Sequence, residues 1–147
     1  MGLNRRSSMQ ISRQTDYGVR AMLEVAGLEP GGRARTRDVA LRQDIPHVFL
    51  TKIILQLVRA GLLMSYRGAG GGIGLARPRE EITLRDIVEA VEGPIALNRC
   101  VVRAGECPRE KTCPVHPIWM KAQASLMALL ESTRLCDLVA SAPPQDD

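Results

Sequence analysis

Pro46-His47-Val48-Phe49-Leu50-Thr51-Lys52-Ile53-Ile54-Leu55-Gln56-Leu57-Val58-Arg59-Ala60-Gly61-Leu62-Leu63-Met64-Ser65-Tyr66-Arg67-Gly68-Ala69-Gly70-Gly71-Gly72-Ile73-Gly74-Leu75-Ala76 changes periodicity at Gly61, and that change decides the fold. Before Gly61, Phe49, Leu50, Ile53, Ile54, Leu57 and Val58 recur at helical spacing and predict an inward stripe. Pro46 opens this helix where its missing N–H costs least. Gly61 suits the left-handed residue that ends a helix, and Leu62 the apolar contact that follows such an end. Leu62 to Tyr66 then reads as a strand, Arg67 to Gly72 as a hairpin tip, and Ile73 to Ala76 as the returning strand.

Upstream, Val19, Met22, Leu23 and Ala26 place a helix from Thr15 that ends at Gly27. Glu29-Pro30-Gly31-Gly32 is a turn. Thr36 is expected to cap a short helix, Arg37 to Gln43, with Asp38 well placed in its first turn. Asp44 and Ile45 connect it tightly to the helix after Pro46. Two helices joined by a short turn make a helix-turn-helix, and the hairpin behind them makes it a winged one. The fold class is therefore mainly α with a small β-hairpin wing, followed by a long C-terminal helix. On the second helix, His47, Val48, Thr51, Lys52 and Gln56 face outward, where small and polar groups can meet base edges or phosphates. The ordinary alternative for such a face is a solvated surface. The tip lacks the Lys-Ser/Thr ending and following helix of a phosphate loop, which excludes that kind of nucleotide site. Led by Arg67 and loosened by Gly70 and Gly71, it suits a DNA minor groove.

Downstream, Ile82 to Glu92 reads as a helix with Thr83 as cap and Asp86 closing a short capping box. Pro117 begins a helix to about Glu131, whose stripe of Trp119, Ala122, Leu126, Leu129, Leu130 and Thr133 is too wide for a small winged domain to cover. Pairing with the same helix of a second chain is its natural use. Residues 134–140 form a last short helix. The domain reading is a disordered extension over 1–8, a winged helix-turn-helix over 9–80 and a connecting helix over 81–97. A cysteine-rich loop over 98–116, dimerisation and terminal helices over 117–140, and a tail over 141–147 complete it.

The loop carries the clearest chemistry. Cys100, Cys107, Cys113 and His116 are separated by six, five and two intervening residues, and thiolate and imidazole suit zinc or an iron–sulfur cluster. Gly105, Pro108 and Pro114 break regular structure across it. Disulfides and unrelated buried thiols are the plainer alternatives. Cys136, in an apolar helical setting, reads as a packing residue.

Charge separates the two halves. Through Glu80 the chain has 13 Lys and Arg against 6 Asp and Glu; beyond it the counts are 7 against 10. A basic N-terminal half suggests that only this part meets a polyanion. No apolar run approaches the roughly 18 residues of a membrane span. Arg5 and Arg6 have no apolar stretch behind them, so the start does not resemble a secretory signal. A cytoplasmic chain with four cysteines then favours metal or redox chemistry over disulfides.

The order of parts resembles the Rrf-two family of bacterial transcription regulators. Thr15-Asp16-Tyr17-Gly18-Val19-Arg20-Ala21-Met22 and Lys52 to Leu62 carry the likeness. Arg67-Gly68, Gly70-Gly71-Gly72, Thr83-Leu84-Arg85-Asp86-Ile87-Val88 and the three cysteines complete it. The resemblance implies a homodimer on a near-palindromic double-stranded operator, with the helix after Pro46 in the major groove and the hairpin tip at the minor groove. It also implies that Cys100, Cys107 and Cys113 hold an iron–sulfur cluster whose state sets DNA affinity. In IscR-like members a histidine at the place of His116 completes a 2Fe–2S cluster; in NsrR-like members a carboxylate at the place of Asp16, from the other subunit, completes a 4Fe–4S cluster. Local spacing prefers His116, and the cluster type stays open. Arg67, Lys52, Thr51 and His47 are the expected groove contacts, and Arg42 and Arg77 the expected phosphate contacts. A structural zinc site or a metal-free thiol switch in the same loop is the rival reading. No Cys-x-x-Cys pair supports a thiol oxidoreductase, and the two histidines lack partners for hydrolysis, so the chain does not read as an enzyme.

Overall fold

Six α-helices and one hairpin form among the described residues, which in this computed structural model are 11–101, 105 and 107–143. They are α1 (Arg13–Ala26), α2 (Thr36–Arg42), α3 (His47–Arg59), β1 (Leu63–Tyr66), β2 (Gly72–Leu75), α4 (Leu84–Glu92), α5 (His116–Ser132) and α6 (Leu135–Ser141). A 3-10 turn, Arg99–Val101, opens the cysteine loop. The extension expected over 1–8 and the end of the tail lie outside the described residues.

α3 is the central element because its buried arc is apolar without a break. Leu50, Ile53, Ile54 and Leu57 are buried there against Ala21 and Met22 of α1, Val39 of α2 and Ile87 of α4 in one core. Its end is a Schellman motif: Leu62 N–H donates to Leu57 O at 3.0 Å and Gly61 N–H to Val58 O at 3.0 Å. Gly61 takes φ 76° to make that turn. The hairpin follows, antiparallel, with Leu63 opposite Leu75 and Tyr66 opposite Gly72. Ala34 bridges Ile73, so the segment entering α2 lies along the wing.

Three expectations are corrected. Phe49 is not part of the inward stripe but 48% exposed. At about 100° per residue, Phe49 and Val58 sit about 90° to either side of the arc centred on Leu50, Ile53, Ile54 and Leu57, and only Val58 is partly covered. Thr36 does not cap α2: Arg35 is the N-cap, and its carbonyl accepts from Asp38 and Val39 N–H. The bridge at Ala34 delivers the chain to the helix already extended, one residue earlier than Thr36. Likewise Pro46 is the N-cap of α3 rather than its first helical residue.

The capping box of α4 is present as read, with Thr83 Oγ1 accepting from Asp86 N–H at 3.1 Å and Asp86 Oδ2 accepting from Thr83 N–H at 3.0 Å. Thr83→Ala removes the first of these and leaves the backbone intact. Urea denaturation will show a loss of about 1 kcal/mol.

α4 and α6 are not peripheral. α1 packs on α4, α3 and α6, and Leu135 is fully buried. Backbone bonds from Leu84 N–H to Thr133 O and from Leu135 N–H to Ile82 O, each 2.8 Å, return α6 to the start of α4. By contrast, α5 has no buried residue in the single chain. Trp119, Ala122, Leu126 and Leu130 are half-covered, while Ile118 and Leu129 are 54% and 63% exposed.

Candidate nucleic-acid interface and cysteine site

The outward side of α3 holds His47, Val48, Thr51 and Lys52, all exposed. Thr51 spends its hydroxyl internally, donating to His47 O at 2.9 Å. Arg67 stands exposed at the start of the wing tip, where Gly71 N–H closes the turn onto Gly68 O at 2.9 Å. Gly70 has φ 77°, and a Cβ on Gly71 would lie 2.5 Å from Tyr66 O, so this tip is shaped by its glycines.

The two expected phosphate contacts have partners of their own. Arg42 pairs with Glu24 at 3.0 Å. Arg77 donates to Glu81 O at 2.6 Å and lies 3.9 Å from Asp86, at the head of α4. Arg33, which no sequence pattern singled out, belongs to the wing instead. Its guanidinium stacks 3.4 Å from the Tyr66 ring centre and reaches Gly70 O at 3.5 Å. Arg35 and Arg37 follow it, both exposed, around the start of α2. An arginine next to a glycine pair carries no periodic signal, and only the Ala34–Ile73 bridge brings it to Tyr66.

The second site forms around the loop. Cys100, Cys107, Cys113 and His116 line one pocket of ≈ 560 Å³ together with Glu110 and Trp119. Successive turns place them: Glu110 N–H donates to Cys107 O at 3.1 Å, Cys113 N–H to Arg109 O at 2.7 Å, and His116 N–H to Cys113 O at 3.3 Å. His116 is the first residue of α5 and its side chain is 14% exposed. Its Nε2 lies 3.7 Å from Glu110 Oε1, while its Nδ1 is buried with no partner. All four cysteines are free and half-buried. Among the described residues no three His, Cys, Asp or Glu converge on a single-ion position. Three soft thiols and an imidazole nitrogen without a partner on one pocket are a donor set that fits an iron–sulfur cluster, whose several irons reach ligands spread more widely than one ion can.

Asp16 is not in this pocket. It is exposed on α1 and pairs with Arg20 at 3.2 Å. Cys136 is half-buried on α6 with its Sγ 3.8 Å from Asp137, also apart from the other three.

Two links join the pocket to the winged part. Gln123 of α5 accepts from Leu97 N–H at 2.9 Å and donates to Ile95 O at 2.6 Å, holding the strap that leads to Cys100. Glu92, closing α4, accepts from Ser12 N–H at 2.9 Å and from the fully buried Thr15 hydroxyl at 2.8 Å. The start of α1 is thereby tied to the end of α4.

A family model named Rrf2, described as iron-dependent transcriptional regulator, matches residues 11–141. A protein of Mycobacterium tuberculosis assigned as an HTH-type transcriptional regulator is 36% identical over 138 residues, covering 93% of this chain and 85% of the relative. Protein rrf2 of Nitratidesulfovibrio vulgaris is 33% identical over 134 residues, covering 91% and 89%. Among solved structures, CymR, the global cysteine regulator of B. subtilis, superposes with a TM-score of 0.76 at 29% identity, covering 92% of this chain and 100% of that one. T. potens IscR superposes with a TM-score of 0.70 at 28% identity, covering 94% and 95%.

Proposed function

We propose a cluster-switched, two-fold symmetric DNA reader, proceeding from one premise: this chain belongs to the Rrf2 family of winged-helix transcriptional regulators, which bind DNA and are not enzymes. The observation that carries the proposal is the pocket shared by Cys100, Cys107, Cys113 and His116, with His116 Nδ1 buried and without a partner. These four residues would hold an iron–sulfur cluster, 2Fe–2S or 4Fe–4S. Asp16 from a second copy is the alternative fourth ligand. When bound, such a cluster supplies sensitivity to redox state, nitric oxide or iron supply.

The chain's own part is positional. His116 opens α5 and Cys100 sits in the 3-10 turn after α4, so ligation at both ends of the loop sets α5 against α4. α4 packs on α1 and α3, and Glu92 ties it to Ser12 and Thr15. A change in the loop therefore reaches α3 through packed and hydrogen-bonded elements. The half-covered α5 stripe, with Leu129 exposed, supports pairing of two copies along this helix. A symmetric pair would present two α3 helices to half-sites about one helical turn, roughly 34 Å, apart on a near-palindromic operator. Switching then requires that the two states differ in affinity for DNA.

At each half-site, His47, Val48, Thr51 and Lys52 of α3 would face the major groove. Arg67, Gly70 and Gly71 would approach the minor groove. Arg42 and Arg77 remain candidates for phosphate contacts only by releasing Glu24 and Glu81. The place of action is the cytoplasm, where DNA is; among the described residues no helix is long and apolar enough to cross a membrane.

A UV–visible spectrum of anaerobically purified protein, with iron, sulfide and zinc assayed on the same sample, tests the switch. Visible absorption with two or four irons per cluster is expected. Asp16→Ala and His116→Ala, made separately, then identify the fourth ligand by which one loses the spectrum. Colourless protein with one zinc per chain would leave the DNA-binding family intact and sink the iron–sulfur switch.

A further inference from the structure

The first turns of α3 offer few groups on their outward crest that can hydrogen-bond. At about 100° per residue, Val48 lies opposite the buried arc of Leu50, Ile53 and Leu57, with Lys52 and Leu55 beside it and Thr51 on the flank. Val48 is 79% exposed and Leu55 48% exposed, two apolar side chains that share the side away from the core with Lys52 and Arg59. On a helix that would lie against DNA, Val48 at 79% exposure is free to meet an apolar feature of the groove. Thr51 adds to it: with its hydroxyl proton donated to His47 O, it has a methyl group to offer and no free donor. Gln56 lies off this crest, about 80° round the helix from Val48, and is half-buried. Lys52, and Arg59 at the far end of the helix, are the long polar side chains on the crest.

In the major groove only one base-pair feature is apolar, the 5-methyl group of thymine. Arg33, Arg35, Arg37 and Arg67 surround the wing and the start of α2 with positive charge, complementary to a nucleic acid backbone. This charge selects DNA as the partner of the exposed Val48 side over another protein.

We infer that α3 identifies its half-site through thymine methyl groups packed on Val48 and the Thr51 methyl, and that Val48 is the specificity-determining residue. The inference rests on the reading of α3 as the recognition helix and goes beyond it by naming what is read. Lys52 then serves a phosphate or a guanine edge without choosing the thymines. The recognition is of shape and methyl burial, in contrast to the bidentate amide or guanidinium contacts that base recognition commonly uses.

The full chain, purified anaerobically, is first used to select binding sites from a pool of randomised duplexes, both as isolated and after removal of metal with a chelator. Thymines of the selected site are then replaced one at a time by deoxyuridine, and affinity is measured by fluorescence anisotropy at fixed salt. At one or two positions per half-site, loss of the methyl group will weaken binding roughly fourfold each. Val48→Ala will weaken binding to the thymine duplex and show no further loss on the deoxyuridine duplex. Because Val48 is exposed and alanine favours helix, the variant will melt at the temperature of the wild type or above it. Equal affinity for thymine and deoxyuridine duplexes at every position overturns the inference while leaving the DNA-reading function in place. So does a deoxyuridine penalty that Val48→Ala retains in full. Failure to select any sequence in either form removes the recognition-helix reading itself.

Discussion

Cys107→Ser will strip anaerobically purified protein of its visible absorption and its iron, and its far-UV circular dichroism will stay that of the wild type. Removing a residue that merely orients a ligand already costs 10- to 100-fold in metal affinity, so loss of a thiolate should cost at least roughly 100-fold. Serine offers a harder oxygen donor that suits these metals poorly. The fold is spared for a structural reason. Cys107 lines a pocket wall outside the apolar core, and the turn there is held by the backbone bond from Glu110 N–H to Cys107 O, which serine keeps. DNA affinity of the variant will no longer respond to chelator or oxidant. Cys136→Ser is the matching control: on α6, beside Asp137, it should keep both iron and response. Full iron retention in Cys107→Ser, or loss in Cys136→Ser, would overturn the ligand assignment.

The largest effect on stability is expected at Gly72. A Cβ there would stand 2.3 Å from Ala34 O, and the residue has φ 133°, a conformation strained for any side chain. The Ala34–Ile73 bridge, with bonds of 3.0 and 2.7 Å, must open to admit it. Backbone strain of 1–3 kcal/mol together with lost hydrogen bonds of about 1 kcal/mol each places Gly72→Ala about 3 kcal/mol below the wild type in urea denaturation. Specific DNA binding should fall with it, since the same bridge carries Arg33 to Tyr66 and so holds the wing tip. Gly70→Ala separates strain from crowding. Gly70 also has positive φ, 77°, but nothing lies within 4 Å of its added Cβ, so its cost should stay near 1–2 kcal/mol. If the two variants are equally stable, the close approach of the wing to Ala34 has no energetic weight.

Local chemistry accounts for what could be read correctly. The Thr83–Asp86 capping box, the Gly61 turn with Leu62 and the glycine-shaped tip are each made by residues a few positions apart. Their partners are written beside them in the chain. Thr36 shows where this reasoning stops: it is a good cap by type, but the bridge at Ala34 supplies the extended entry at Arg35 instead. Phe49 shows the same limit, because helical spacing places a residue on an arc without saying how wide an arc the neighbours cover.

By itself the sequence determined the winged helix-turn-helix and the cysteine-bearing loop, because periodicity, caps and cysteine spacing are short-range properties of the chain. Only the tertiary structure decided which charges are already paired. Arg42 with Glu24 and Arg77 with Asp86 are taken by their own fold, while Arg33 is delivered to Tyr66. It also tied Glu92 to Ser12 and Thr15, across 80 and 77 residues of chain. Such pairings depend on how helices meet in space, and a charged or polar side chain has too many partners of equal chemistry for sequence separation to choose among them.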